Sequence, residues 1–355
     1  MLGLRPDLED VEPYVSPQLR GVLRMNTNES PYGPPASVVD ALTAAVRDME
    51  LNRYPDRDAT ELVSALAERW EWPRDGIWIA NGSNEVFMHV FLAYGGPGRT
   101  ALTFEPTYSL HSLIPRLALT SVEQAHRDYA FEIDADAAVA EIERHRPDVV
   151  IVCSPNNPTG GRTPLPVVER LLDAAPGLVV VDEAYAEFAP PDASAVPLLR
   201  RHPNLVVVRT FSKAWSLAGV RLGYLLAAPD LVRAMSVVRL PYHLSTLSQA
   251  VGLAALGAEA ETLANVQKIV RERERVVAEL ERLPKGHVRT APSDANFVLF
   301  RTEVSDGDLM RRCLLEEAVL VRSYSTPALR EWNRVTIGLP EDNDLFLRSL
   351  RTVLE

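Results

Sequence analysis

Cysteine is scarce in this chain of 355 residues, and so are the signals of export or membrane insertion. Cys153 and Cys313 are the only cysteines, and they do not form a CxxC pair, so a disulfide framework is excluded. No stretch approaches the ~18 apolar residues of a transmembrane helix. Residues 1–10 lack the basic and apolar regions of a signal peptide. These absences predict a protein of the reducing cytoplasm.

Positive charge is also in short supply. The chain has 37 Lys and Arg residues against 48 Asp and Glu, which gives a net charge of −11. This balance argues against partners such as nucleic acid or an anionic membrane, although a local basic pocket could still bind a small anion. The seven histidines show no metal-ligand spacing, so no metal site is predicted. Hydrophobic residues at 46% are typical of a globular protein, and the length suggests two domains at roughly 150 residues each.

The middle of the chain alternates short apolar runs with amphipathic stretches. The runs are apolar on both faces, as strands of a buried parallel sheet must be. They are residues 77–80, 101–104, 149–153, 178–181, 205–208 and 222–227. Predicted helices between them include residues 58–70, where Asp58 and Glu61 form a capping-box pattern. The alternation predicts an α/β fold with a large, doubly wound, mostly parallel sheet and ligands at the carboxyl ends of its strands.

The pattern changes near residue 245. A long helix is predicted at about 261–282, followed by shorter strands and helices, which is an α+β arrangement. We therefore expect a large domain over residues 31–245 and a smaller C-terminal domain over residues 246–355. Residues 1–30 are irregular and proline-rich, and we expect them to form an arm that packs with the small domain.

The segment Thr210-Phe-Ser-Lys-Ala-Trp-Ser-Leu-Ala-Gly219 follows one of the buried strands. A single lysine after a strand is usually a solvated surface residue. Here Thr210 and Ser212 can hydrogen-bond a phosphate, and Arg221 can add a charged two-point contact. Lys213 beside such a cradle can form a Schiff base with the aldehyde of pyridoxal phosphate (PLP).

A PLP site also needs an acid opposite the pyridine nitrogen. Asp182 ends the strand Leu178-Val-Val-Val-Asp, and Tyr185 follows three residues later. Asn157 lies in the rigid loop Ser154-Pro-Asn-Asn-Pro-Thr-Gly160, where it and Tyr185 could hold the 3′ oxygen of the ring. Taken alone, Asp182 could simply cap a turn, and the loop could be an ordinary one.

Two further segments complete the candidate site. Ser83 and Asn84 stand between a predicted strand and a helix, where backbone N–H groups bind phosphate well, although such a segment is often only a helix cap. Tyr108, otherwise a turn or core aromatic, could stack on a flat cofactor ring.

Together these segments resemble the fold-type I PLP-dependent aminotransferases of the class-II branch, and within it the histidinol-phosphate aminotransferase family. The resemblance extends over nearly the whole chain. Its most specific segments are Leu4-Arg-Pro-Asp-Leu with Pro13-Tyr14, Asn26-Thr-Asn-Glu-Ser-Pro-Tyr-Gly33, Arg53-Tyr-Pro-Asp56, Gly82-Ser-Asn-Glu85, and the pair Arg322 and Arg334. Asn84 departs from the family pattern, which is more usually acidic at this position.

The resemblance implies roles for these residues. Lys213 would carry PLP covalently and act as the base, and Tyr54 would reach the cofactor phosphate of a neighbouring subunit. A homodimer with shared active sites is therefore expected, with the N-terminal arm also touching the partner. The substrate-binding residues implied are Tyr14 of the partner together with Asn28, Tyr242, Arg322 and Arg334.

The activity expected from this resemblance is transamination between histidinol phosphate and 2-oxoglutarate, giving imidazole-acetol phosphate and glutamate in histidine biosynthesis. An aromatic-amino-acid aminotransferase is an alternative, because imidazole and phenyl rings need similar pockets. A phosphothreonine-type PLP decarboxylase is another, since it would use similar arginines. A PLP-sensing transcription factor is disfavoured, because residues 1–26 leave no room for a winged helix and the chain is acidic.

Overall fold

The computed structural model describes residues 3–9, 11, 17–283, 288–304 and 306–355. Within these ranges the strands are β1 (Leu23–Arg24), β2 (Ile77–Ala80), β3 (Thr100–Glu105), β4 (Ser121–His126), β5 (Val149–Cys153), β6 (Leu178–Asp182), β7 (Leu205–Thr210), β8 (Gly223–Ala227), β9 (Val288–Thr290), β10 (Phe297–Thr302), β11 (Val319–Leu320), β12 (Arg322–Ser323) and β13 (Trp332–Thr336). The helices are α1 (Ala36–Asp48), α2 (Thr60–Trp70), α3 (Ser83–Tyr94), α4 (Leu110–Leu117), α5 (Ala135–His145), α6 (Leu165–Ala174), α7 (Pro229–Met235), α8 (Thr246–Gly257), α9 (Glu259–Glu281), α10 (Gly307–Glu316) and α11 (Pro340–Leu354).

The central sheet has seven strands in the order β2-β8-β7-β6-β5-β3-β4. The five strands from β7 to β4 are parallel, whereas β8 runs antiparallel to both of its neighbours. The predicted mostly parallel α/β sheet is therefore confirmed. Because β5, β6 and β7 are parallel neighbours, their carboxyl ends share one edge of the sheet, with Cys153 of β5 opposite Asp182 of β6.

The sheet is apolar on both faces because helices cover both. Val150 and Val152 of β5 belong to one buried cluster, whereas Val149 and Ile151 belong to the cluster on the opposite face. The same alternation continues along β6 and β7, as successive side chains of a strand point to opposite faces. This burial explains why the strands are continuous runs of β-branched residues.

Several local features differ from the sequence interpretation. Helix α2 begins at Thr60, and the Asp56 carboxylate accepts its N–H at 2.7 Å, so the predicted capping box of Asp58 and Glu61 is wrong. Helices α1, α4, α7 and α8 and edge strand β4 were not predicted. Strand β4 has the sequence SVEQAH with only Ala125 buried, so it lacks the continuous apolar run that marks the central strands.

The C-terminal part of the chain forms a second, antiparallel sheet in the order β12-β13-β10-β9. The N-terminal segment joins this part, because β1 pairs in parallel with β11 and the Met25 carbonyl accepts the Thr336 N–H at 2.8 Å. Residues after Met25 then cross toward the edge of the central sheet. Within the described ranges, no helix is both long and apolar enough to cross a membrane.

Candidate active site

A cavity of about 270 Å³ opens at the carboxyl ends of β5, β6 and β7. Twelve of the candidate residues from the sequence line it: Asn28, Ser83, Asn84, Tyr108, Asn157, Asp182, Tyr185, Thr210, Ser212, Lys213, Arg221 and Arg334. The loops that follow parallel strands meet at this edge and supply Asn157, Tyr185 and Lys213. Asn28 of the N-terminal segment and Arg334 of β13 join them from the second sheet's side of the cavity.

The Lys213 amine lies inside the cavity and donates a hydrogen bond to the Thr27 carbonyl at 3.1 Å. It also lies 5.9 Å from the centre of the Tyr185 ring. Desolvation, aided by the positive charge of Arg334, lowers the pKa of Lys213 to about 8. At neutral pH a useful fraction of the amine is therefore uncharged, which a nucleophilic or basic lysine requires.

Asp182 is held at the back of the cavity by two hydrogen bonds. Its Oδ1 accepts the Ala184 N–H at 3.1 Å, and its Oδ2 lies 2.9 Å from Nε2 of His111. His111 is buried on α4, and its other ring nitrogen lies 3.3 Å from the Thr107 hydroxyl. The carboxylate is thus fixed in orientation and aimed into the cavity by a histidine that the sequence interpretation did not include.

The Tyr185 hydroxyl lies between two asparagine side chains. It accepts a hydrogen bond from Nδ2 of Asn28 at 2.9 Å and another from Nδ2 of Asn157 at 3.5 Å. Burial raises the pKa of Tyr185, so its hydroxyl keeps its proton at neutral pH. That proton is available to an oxygen atom in the cavity.

The opposite side of the cavity is built for an anion. Helix α3 begins at Ser83 without a side-chain cap, so its first N–H groups are free to bind a ligand. Gly82, at φ +85°, leaves room for the Arg221 guanidinium, because a Cβ there would lie 2.7 Å from Nη2. Arg221 in turn donates to the Ser212 hydroxyl at 3.4 Å, and the Thr210 hydroxyl donates to the same oxygen at 3.0 Å.

Arg334 is buried where three parts of the chain meet. Its Nη1 donates to the Asn157 side chain of the central-sheet domain, and its Nη2 donates to the Asn26 carbonyl at 2.7 Å. Arg322 is not in this cavity. It borders a neighbouring cavity of about 270 Å³, which Tyr108, Asn157 and Arg334 also line.

Tyr54 and Tyr242 lie outside both cavities. Their rings stack on each other with centroids 4.5 Å apart, and the side chains are 80% and 42% exposed. Tyr14, the remaining predicted residue, lies outside the described residues.

Comparison with known proteins identifies the family of this chain. The family Aminotransferase class I and II matches residues 20–350. The chain belongs to this family. Histidinol-phosphate aminotransferase from Thermobifida fusca (strain YX) is 48% identical over 357 residues, an alignment that covers 99% of this chain and 95% of that protein.

Two solved structures show how far the similarity in fold extends. Histidinol-phosphate aminotransferase from Sinorhizobium meliloti, in complex with pyridoxal-5′-phosphate, superposes with a TM-score of 0.90 at 25% identity and covers 99% of this chain and 97% of that one. L-threonine-O-3-phosphate decarboxylase from Porphyromonas gingivalis superposes with a TM-score of 0.82 at 24% identity. The match covers 94% of this chain and 99% of that one. The second likeness establishes only the fold, and it shows that the fold does not decide the reaction.

Five residues that line the cavity were not among the sequence candidates: Thr27, Glu29, Cys153, Ala184 and Ala218. His111, which does not line the cavity but contacts Asp182, was missed as well. Thr27 acts through its backbone, and His111 reaches Asp182 from a helix 71 positions away, so no local motif marks either residue. Glu29 lies in the segment Asn26–Gly33, which drew attention only as part of the family resemblance.

His111, Cys153 and Asp182 carry metal-ligand atoms within 4.8 Å of one another. His111 and Asp182 already bind each other, and burial raises the pKa of the Cys153 thiol, which disfavours the thiolate that a metal would need. Their arrangement instead fits an acid partner for a cofactor ring.

The lowered pKa of Lys213 gives a testable pH dependence. In cofactor-free protein we expect reductive methylation of Lys213 to be half-maximal near pH 8, because its amine is neutral above that pH. Mass spectrometry can follow Lys213 against exposed Lys268 as an internal reference. A midpoint for Lys213 near the ordinary lysine value of about 10.4 would contradict the desolvation argument.

Proposed function

We propose that this protein catalyses PLP-dependent transamination between histidinol phosphate and 2-oxoglutarate, giving imidazole-acetol phosphate and glutamate. The observation that carries the proposal is one cavity that combines the Lys213 amine, the fixed Asp182 carboxylate and an anion cradle at the start of α3. The relative from Thermobifida fusca, similar over nearly the whole chain, supports this substrate.

The residues of the cavity fit PLP group by group. Lys213 would bind the aldehyde carbon covalently, and Asp182 would accept a hydrogen bond from the protonated ring nitrogen. Asn157 and Tyr185 would hold the 3′ oxygen, while Tyr108 would stack on the ring. The phosphate would occupy the cradle of Ser83, Asn84, Thr210, Ser212 and Arg221, with Tyr54 of a partner subunit.

When bound, PLP supplies an electron sink for the bond that breaks at the substrate's Cα. The protein then has to move one proton, and the Lys213 amine is suited to this because burial lowers its pKa, which favours the uncharged, basic form. Asp182 keeps its orientation through His111 and Ala184, so its carboxylate would be held in place for the ring nitrogen of the bound cofactor.

Arg334 and Arg322 would bind the anionic group of each substrate. A guanidinium forms a planar two-point contact with either a carboxylate or a phosphate. The same arginines can therefore accept glutamate in one half-reaction and histidinol phosphate in the other. Asn28, Tyr242 and the partner's Tyr14 complete the proposed substrate site.

A homodimer with shared sites is part of the proposal. The stacked pair of Tyr54 and Tyr242 is exposed, as are Val237 at 84% and Leu240 at 70%. Aromatic and aliphatic side chains exposed together are typical of an interface.

The domain limits and the cellular location of the protein are part of the same proposal. We place the large domain at residues 31–245, the small domain at residues 246–355, and an arm at residues 1–30. The pairing of β1 with β11 supports an arm that packs with the small domain. Cys153 and Cys313 are both free thiols, which supports a cytoplasmic location.

The covalent role of Lys213 can be tested directly, because the chain contains three lysines. Borohydride should trap PLP on wild-type protein, and Lys213→Ala should abolish the trapping and lower kcat by at least about a hundredfold. Lys268→Ala, which removes an exposed lysine of α9, is the matched control and should behave as wild type. Trapping retained in Lys213→Ala would refute the assignment.

Substrate choice separates the proposed reaction from its alternatives. With 2-oxoglutarate as acceptor, kcat/KM for histidinol phosphate should exceed that for phenylalanine by at least about tenfold, because phenylalanine cannot place a phosphate on the arginines. A preference for phenylalanine would indicate an aromatic-amino-acid aminotransferase. Release of carbon dioxide from phosphothreonine would indicate the decarboxylase.

Shared sites predict complementation between two defective variants. Tyr54→Ala should weaken PLP binding, and Lys213→Ala should remove activity. Mixing and re-equilibrating the two should restore activity, since a hybrid dimer contains one site with an intact Lys213 and the partner's intact Tyr54. Each variant mixed with itself is the control. No recovery in mixtures shown to contain hybrids would contradict a site completed by Tyr54.

A further inference from the structure

Residues 26–30 pass along the cavity in a fixed order, and residues 27–29 of them line it. The Asn26 carbonyl accepts from Arg334 at 2.7 Å, and the Thr27 carbonyl accepts from Lys213 at 3.1 Å. At the far end, the Ser216 hydroxyl donates to the Ser30 hydroxyl at 2.9 Å. The segment therefore runs from the arginine end of the cavity, past the reactive lysine, to the opposite side.

Glu29 lies on this segment beyond the point where Lys213 makes contact. Its side chain lines the cavity, is exposed, and accepts the Thr27 hydroxyl on Oε2 at 3.0 Å. Its negative charge also acts on the Lys213 ammonium, which places the carboxylate within electrostatic reach of the reacting amine.

Carboxylates are rare in this cavity. Among the described residues that line it, only Glu29 and Asp182 carry one. In the proposed function Asp182, which Ala184 and His111 hold in place, serves the ring nitrogen of the cofactor. Glu29 is therefore the carboxylate that is left for a group of the substrate.

The shape of histidinol phosphate determines which group reaches Glu29. Its Cα carries the amine, with the phosphate arm on one side and the imidazole arm on the other. If the phosphate binds Arg334 and Arg322 and the amine lies at Lys213, the imidazole must point away from the arginines, toward the Ser30 end of the segment.

We propose that Glu29 accepts a hydrogen bond from the imidazole ring of the substrate and thereby selects imidazole over phenyl side chains. This inference rests on the proposed function. An imidazole has an N–H donor and is readily protonated, whereas a phenyl ring offers neither, so a carboxylate discriminates between two rings of similar size.

The test compares Glu29→Ala and Glu29→Gln with wild-type holoenzyme on histidinol phosphate and on phenylalanine. For Glu29→Ala we expect kcat/KM for histidinol phosphate to fall by about tenfold or more, mainly through KM, while the value for phenylalanine changes less than about twofold. Glu29→Gln should lie in between, because its amide oxygen still accepts a hydrogen bond. Glu143→Ala, which removes an exposed glutamate of α5, is the control for net charge.

The outcomes are distinct. Equal losses on both amine substrates would overturn the inference, since Glu29 would then act through Lys213 or the path of the segment. Unchanged turnover of histidinol phosphate in Glu29→Ala would overturn the inference about Glu29 and leave the proposed function intact. Failure of the wild-type enzyme to use histidinol phosphate would overturn the proposed function and this inference together.

Discussion

The shared edge of three parallel strands determines where the chemistry of this protein can take place. Strands β5, β6 and β7 are buried on both faces, so only their ends and the loops after them can present polar groups. Asp182 ends one strand, Thr210 ends the next, and Lys213 follows three residues later. The sheet thus supplies a rigid frame on which a carboxylate, an amine and an anion cradle are spaced.

The rest of the cavity depends on the N-terminal segment. Strand β1 binds it to the C-terminal part of the chain, and Arg334 holds it against Asn157 of the central-sheet domain. One guanidinium therefore connects three stretches of sequence that are distant from one another. An arginine with this many contacts is already oriented before any substrate carboxylate or phosphate arrives, which reduces the entropic cost of binding.

Much of this architecture could be predicted because its causes are local. The strands are recognisable as short apolar runs, and Asp182, Asn157 and Lys213 each follow such a run within about five residues. One miss has a tertiary cause, because His111 reaches Asp182 from a helix 71 positions away. Two misses have local causes instead: Asp56 caps α2 from four residues upstream of Thr60, and β4 lacks a continuous apolar run.

The contact between Lys213 and the Thr27 carbonyl has a consequence for how such a site can vary. A backbone carbonyl is present whatever side chain stands at that position, so substitutions at residue 27 leave this partner of the amine in place. A mutation can remove this contact only by altering the path of the N-terminal segment. That path is fixed at a distance by the pairing of β1 with β11 and by Arg334. Lys213 therefore keeps its backbone partner whatever side chain stands at residue 27, while position 29, two residues further along, can vary separately.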